Sequence, residues 1–488
     1  MDSFKLYIDG QFTDGAAQFS SLNPATAAPW ATIAEARREE VNRAVEAAAR
    51  AFESDSWRAT TAGARGKMLL RLADLIEKNA DRLARLETLD TGKIIRETRA
   101  QIAYVAEYYR FYAGLADKMD GATLSIDKAD METWIKREPV GVVAAIVPWN
   151  SQLFLSAVKI GPAIAAGCTL VVKAAETAPA PLLAFAELIH EAGFPPGVCN
   201  IITGFGEECG TTLTTHPLVD HIAFTGGPET ARHIIRNSAE NLASTSLELG
   251  GKSPFIVFAD ADLESAANAQ VAAIFSASGQ SCVAGSRLLV AEEIKEAFIE
   301  KLLSKVRGIA IGCPQQPETQ FGPLCTEQQK RTIEEVVNRS LEQGARLIIG
   351  HQPVDKPGFY YPPTILDCSE TPRAESVTRE LFGPVLSVLT FKDEAEAISL
   401  ANNTEYGLAA GVFTQNLTRA HRVTRRLRSG VVWLNTYRVV SPMAPFGGYG
   451  KSGFGREGGI DAALEYTTTK TVWLRTSDEP IDDPFIMR

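Results

Sequence analysis

One cysteine, Cys282, sits among small and polar residues in Ser278-Gly279-Gln280-Ser281-Cys282-Val283-Ala284-Gly285-Ser286-Arg287. An ionised thiol attacks a carbonyl carbon. Glu248 lies 34 residues upstream, in Leu247-Glu248-Leu249-Gly250-Gly251-Lys252, and a carboxylate activates water against the acyl-enzyme that such an attack leaves. If the fold brings the two together, the chain is a covalent-catalysis enzyme. Asn150 closes the run Val147-Pro148-Trp149-Asn150, where a side-chain amide just after a buried strand is a candidate donor to an oxyanion. Taken singly, each has a plainer reading: a small buried hydrophobe, a surface charge and a turn residue. Lys159 falls in an otherwise apolar helical stretch, where an unpaired ammonium is costly, so it requires an acidic partner.

The elements that must hold these residues read as an α/β chain. Residues 1–20 suggest a short hairpin with turn signals at Asp9-Gly10 and Asp14-Gly15. Residues 38–118 are helical in pattern, with helices predicted over 38–53, 62–79 and 80–89, and 121–136 alternates like a strand. Strand–helix alternation follows, with strands over 140–148, 169–173, 198–203 and 221–225 and helices over 153–166, 181–192 and 229–241. A second such run begins after Gly250, with strands over 254–258, 286–290, 385–391 and 431–435 and helices over 262–276, 292–308 and 326–343. Residues 463–475 read as a strand. The dinucleotide fingerprint G-x-G-x-x-G is absent; Gly204-Phe205-Gly206-Glu207-Glu208-Cys209-Gly210 carries one residue too many and reads as a turn.

The 488 residues are too many for one ordinary core, so two or three domains are expected. A net charge of −10 argues against nucleic acid or an anionic membrane as partner. The apolar region 153–172 is broken by Lys159, Gly161, Pro162 and Gly167, so it reads as a buried helix and strand, not a membrane span. The N-terminus lacks the pattern of a targeting segment. Seven scattered cysteines without a C-x-x-C pair suit free thiols in a reducing cytoplasm, and no metal site is expected.

The motifs together resemble the NAD(P)-dependent aldehyde dehydrogenase superfamily over essentially the whole chain. They are Val147-Pro148-Trp149-Asn150, Leu170-Val171-Val172-Lys173-Ala174-Ala175-Glu176, Phe224-Thr225-Gly226-Gly227, Leu247-Glu248-Leu249-Gly250-Gly251-Lys252, Gly279-Gln280-Ser281-Cys282, Glu380-Leu381-Phe382-Gly383-Pro384 and Pro445-Phe446-Gly447-Gly448. The resemblance implies a Rossmann-type NAD-binding domain (1–118 and 138–249), an α/β catalytic domain (250–449), and a small β oligomerisation arm with a C-terminal tail (119–137 and 463–488). A homodimer or homotetramer is expected, with the apolar tip 484–488 as a possible docking element.

By the same resemblance, Cys282 is the nucleophile, Asn150 and the Cys282 backbone N–H hold the oxyanion, and Glu248 is the base for thioester hydrolysis. Lys159 and Glu457 form the proton-relay pair. Lys173 and Glu176 touch the adenosine ribose, and a carboxylate there favours NAD over NADP. Ile146, Pro148, Trp149, Gly206, Thr225, Gly226, Gly227, Leu249, Glu380 and Phe382 complete the cofactor site. Gly227 stands where the family usually has serine, and Ala174 where it usually has proline. The aldehyde tunnel falls on Ser151, Leu155, Val158, Ala272, Ser276, Ser281, Val283, Arg438, Val440 and Phe446. Many of these are small, which predicts a bulky apolar, aromatic or cyclic hemiacetal-type aldehyde. Arg438 leaves open a semialdehyde; an aminoaldehyde, a coenzyme A-acylating reaction and a non-catalytic structural role are the other readings. No aromatic cage for a quaternary ammonium group is evident.

Overall fold

The computed structural model describes residues 1–486; Met487 and Arg488, part of the expected docking tip, lie outside the described residues. Apolar runs in the first half build an eight-stranded sheet. Its order is Gly453–Phe454, Ser244–Glu248, His221–Thr225, Val142–Ile146, Thr169–Ala174, Cys199–Thr203, Leu6–Ile8 and Gln11–Thr13. The five strands from Ser244–Glu248 to Cys199–Thr203 pair in parallel. Four of them, all but Ser244–Glu248, are buried on both faces, which is why they are largely apolar without alternation. Val143, Ala145, Leu170 and Val172 enter one core, and Val142, Ala144, Val171 and Ile222 the other.

The second half repeats the design. A seven-stranded sheet runs Arg346–Ile349, Thr364–Asp367, Val385–Phe391, Arg287–Ala291, Pro254–Val257, Ala409–Phe413 and Val431–Leu434, parallel except at its first strand. Its two faces bury Ile256, Leu289 and Val412 on one side and Phe255, Val257 and Leu288 on the other. A separate antiparallel sheet joins Thr467–Arg475, Met131–Pro139 and Ala122–Leu124. Among the described residues no helix is long and apolar enough to cross a membrane.

The structure corrects several sequence readings. The first 35 residues hold five strands, split between the large sheet and a small sheet of Asp2–Phe4, Ala28–Glu35 and Ala17–Asn23. The glycine cluster at 206–210 is a helical turn that continues into Thr211–Thr215, not a plain turn. The stretch 463–475 begins as the end of the helix Gly459–Glu465 before becoming a strand. The strands Ser244–Glu248 and Ala409–Phe413 and the helices Glu394–Asn402 and Leu417–Arg426 come in addition to the predicted elements.

Candidate active site

The helix Leu263–Phe275 delivers the chain to Cys282 through a tight turn. Ala277, Ser278 and Gly279 are all left-handed, with φ of 52°, 53° and 74°. Two of the three carry side chains in a conformation they disfavour, a strain that persists only where the surroundings hold it. They do: Ser278 Oγ donates to the Gly322 carbonyl at 2.9 Å, the Ala277 N–H reaches the Glu97 carboxylate at 3.0 Å, and Gln280 Oε1 accepts the Cys325 N–H at 2.8 Å. Any side chain at Gly279 would lie 2.3 Å from the Gly383 backbone. This close approach sets the Cys282 loop against the segment that carries Glu380 and Phe382.

Cys282 is half-buried. Burial, and behind it Glu380, Glu248 and Glu457, push its thiol up to about 12, with Arg438 acting in the opposite sense. Its backbone N–H has no hydrogen-bond acceptor among the described residues. Asn150 sits on the 3₁₀ turn Trp149–Ser151, directly before the helix Gln152–Ala166, and its Nδ2 donates to the Gln280 carbonyl at 3.1 Å. That bond spans 130 residues and holds the amide against the Cys282 loop, with one amide hydrogen to spare.

Glu248 ends its strand buried, at 4% exposure, and neither carboxylate oxygen has a hydrogen-bond partner in the protein. A buried, unsatisfied carboxylate is costly to ionise. Burial, then the Glu457 charge, hold it well above the usual carboxylate range, against the pull of Lys159 and Arg456. A carboxyl kept basic in this way suits proton abstraction. Lys159, in the apolar helix Gln152–Ala166, has the acidic partner its burial demands: its Nζ meets Glu457 Oε1, which also accepts Thr225 Oγ1 at 2.9 Å.

A cavity of about 490 Å³ runs from Cys282 along the carboxyl ends of the parallel strands, where open α/β sheets place ligands. It brings together Asn150, Glu248 and Cys282 with every residue expected at the cofactor: Ile146, Pro148, Trp149, Lys173, Glu176, Gly206, Thr225, Gly226, Gly227, Leu249, Glu380 and Phe382. Lys173 Nζ is 3.3 Å from Glu176 Oε2. The helix Pro228–Asn241 starts at Gly227 with no side-chain cap, and Gly226, Gly227 and Thr230 at this end line the cavity. A side chain at Gly206 or Gly227 would meet nothing within 4 Å; the space beside these backbones is open for a ligand to approach. Trp149 and Phe382 meet edge to face at 5.4 Å, and Glu380 Oε1 accepts the Gly251 N–H at 2.9 Å. Thr230, His233, Ile234 and Gln329 also line the cavity. Sequence reasoning missed them, although the spacing of Thr230, His233 and Ile234 on one helix face was a usable signal.

The expected aldehyde side is less uniform. Leu155 lines the cavity. Val158 and Val283 are buried, and Ser276 and Ser281 half-buried. Ser151 Oγ takes the Lys93 ammonium and donates to the Asn150 carbonyl at 2.7 Å. The Val440 carbonyl accepts Tyr104 Oη at 2.5 Å. Phe446 and Glu457 exchange backbone hydrogen bonds at 2.6 and 2.8 Å. Arg438 is half-buried and forms no ion pair with a protein carboxylate among the described residues: its Nη1 donates to the Ala272 carbonyl at 3.0 Å, in the last turn of the helix that leads to Cys282.

The family model described as "Aldehyde dehydrogenase family" matches residues 12–472. The (Z)-2-((N-methylformamido)methylene)-5-hydroxybutyrolactone dehydrogenase of Acinetobacter baylyi is 70% identical over 488 residues, all of both chains. Aldehyde dehydrogenase 1 of Tanacetum cinerariifolium is 44% identical over 480 residues, 98% of this chain and 96% of that one. The solved NAD+ complex of an aldehyde dehydrogenase from Bacillus cereus superposes with a TM-score of 0.96 at 40% identity, over 98% of this chain and 97% of that one. With the fold, the cavity and these likenesses in agreement, the chain belongs to the aldehyde dehydrogenase family.

Proposed function

We propose that the protein oxidises a cyclic hemiacetal-type aldehyde to the acid with NAD, through an acyl intermediate on Cys282 that water hydrolyses. One observation carries this reading: a single cavity joins Cys282, Asn150 and the unpartnered Glu248 carboxylate at one end to Lys173 and Glu176 at the other. The hydroxybutyrolactone in the name of the 70% identical relative supports the substrate class. A 5-hydroxybutyrolactone is the closed form of a 4-oxo acid, so ring opening presents an aldehyde to a thiol. The opened form also carries a carboxylate, and Arg438, whose charge reaches Cys282, favours the semialdehyde reading of the same substrate.

The residues present fit NAD. Glu176 suits a ribose 2′-hydroxyl and repels a 2′-phosphate. The uncapped helix at Gly227 suits a pyrophosphate, and Glu380 and Phe382 flank the Cys282 end. When bound, NAD supplies the hydride acceptor. Cys282 as thiolate adds to the aldehyde carbon, and its own N–H with the Asn150 amide holds the oxygen that becomes negative. After oxidation a thioester remains on Cys282. Glu248 takes a proton from water, the water oxygen adds to the acyl carbon, and the carbon–sulfur bond breaks.

We further assign residues 1–118 and 138–249 to the cofactor domain, 250–449 to the catalytic domain, and 119–137 with 463–488 to an arm that joins subunits in a dimer or tetramer. The strand Thr467–Arg475 supports this, since one edge is open and Trp473 is exposed. The test is NADH formation over aldehydes from acetaldehyde to aromatic and hydroxylactone substrates. Fast acetaldehyde turnover beside inert hydroxylactones sinks the substrate class. Stimulation to full rate by coenzyme A would sink hydrolysis by water.

A further inference from the structure

The strand Ser244–Glu248 is polar where its neighbours in the sheet are apolar. Ser244, Ser246 and Glu248 share one face, because side chains alternate along a strand. Exposure falls along that face, from exposed Ser244 through half-buried Ser246 to buried Glu248. The parallel register sets His221 beside Ser244, Ala223 beside Ser246 and Thr225 beside Glu248. The buried His221 ring bridges two hydroxyls, Ser244 Oγ at 2.8 Å and Ser246 Oγ at 3.0 Å. Tyr466 closes over it edge to face, with the rings 5.2 Å apart.

Glu465 covers the same face from the end of the helix Gly459–Glu465. Its Oε1 accepts the Arg456 backbone N–H at 2.6 Å. A methyl group at Gly455 would touch both Ser246 Cβ and Glu465 Oε2 at 2.8 Å, so the carboxylate and the serine lie on either side of one glycine. Polar groups thus line this face from Glu248, with Thr225 beside it, to Ser246, Glu465 and His221, and Ser244 at the far end is exposed.

Hydrolysis needs such a path. A thioester and water give a carboxylate, the Cys282 thiol and one proton. Water loses its proton to Glu248, the new acid returns its own to the Cys282 thiolate, and the proton on Glu248 must leave a buried site. We propose that this polar sheet face is the proton's exit, with Glu465 and the His221–Ser246 pair as relay groups behind Glu248. The proposal rests on the hydrolytic reading above.

The charges facing one another fit the task. Glu465 faces Arg456, Glu457, Lys159 and Glu248, and His221 faces Lys159. Burial pushes Glu465 up to about 6 and His221 down to about 4. At neutral pH Glu465 is therefore ionised and able to accept. His221 is neutral, and an imidazole bonded at both nitrogens takes a proton on one and gives it from the other.

The experiment uses the full chain and 4-nitrophenyl acetate, which acylates a thiol directly and needs no NAD. The burst of nitrophenolate counts acylated Cys282, and the steady rate reports hydrolysis. Glu465→Gln keeps the burst, lowers the steady rate by roughly tenfold, and removes the inflection near pH 6. Glu465→Asp or added imidazole restores the rate. Ser246→Ala gives a smaller loss in the same direction, and it decides the matter if Glu465→Gln shows no burst. Unchanged steady rates and pH profiles in these variants overturn the relay. Glu248→Gln separates the two ideas: if it hydrolyses normally, Glu248 is not the base and the reading on which the relay rests fails.

Discussion

Lys159 and Glu457 are ion-paired inside the protein, 298 residues apart in sequence, behind the strand that ends in Glu248. Removing one partner leaves the other charged and buried. Lys159→Met is expected to destabilise the fold by about 3–5 kcal/mol. The double variant Lys159→Met/Glu457→Leu should recover most of that. Urea midpoints measure both, and a stable single variant would show that the pair does not hold the fold.

The Cys282 thiol, raised to about 12, stays protonated at neutral pH. Alkylation by iodoacetamide, read by mass spectrometry at Cys282, is therefore slow at pH 7 and climbs about tenfold per pH unit through pH 10. Bound NAD places a cationic ring in the cavity and should accelerate it. Cys313, exposed to solvent, is the internal control. A flat pH profile at Cys282 would remove the argument that burial holds its proton.

Asp367 shows the opposite shift. Burial opposes its ionisation, but Lys295, Ser369 and Arg346 outweigh burial and bring it down to about 2. A depressed carboxylate stabilises the fold at pH above its ordinary value near 3.8, and that contribution is lost as pH falls toward 2. Asp367→Asn should cost about 2 kcal/mol at pH 7 and nearly nothing at pH 2. Equal losses at both pH values would refute the electrostatic account.

Gly279→Ala should disable the site at both ends. Its backbone is left-handed and an added methyl would overlap Gly383. The expected result is a fall in acylation burst together with weaker NAD binding by titration. Loss of one without the other would show that the Cys282 loop and the Glu380–Pro384 segment are not coupled.

The elements read most directly from sequence were those with a single periodicity. The helix Arg38–Glu53 and the strand His221–Thr225 fall where predicted because each has uniform burial along one face or both. Cys282, Glu248 and Asn150 stood out because their neighbours are apolar or small. The strand Ser244–Glu248 was missed for a physical reason: serines and a glutamate on one face give it no apolar run, since that face is a polar channel and not core. Arg438 was legible as a charge but not as a helix-end donor, because its target, the Ala272 carbonyl, is 166 residues away.

The interlock of Gly279 with Gly383 carries a consequence for how such enzymes diversify. It ties the Cys282 loop to the Glu380–Pro384 segment by backbone alone. Of the expected aldehyde-lining residues, Ser276, Ser281 and Val283 share the Cys282 loop, whereas Ser151, Leu155, Val158, Val440 and Phe446 stand on other elements, the helix Gln152–Ala166 and its entry turn and the loop near 440. Mutation at these last five can therefore reshape what enters the tunnel while the Cys282 loop stays fixed. Substrate range and chemistry become separately inheritable traits of one scaffold.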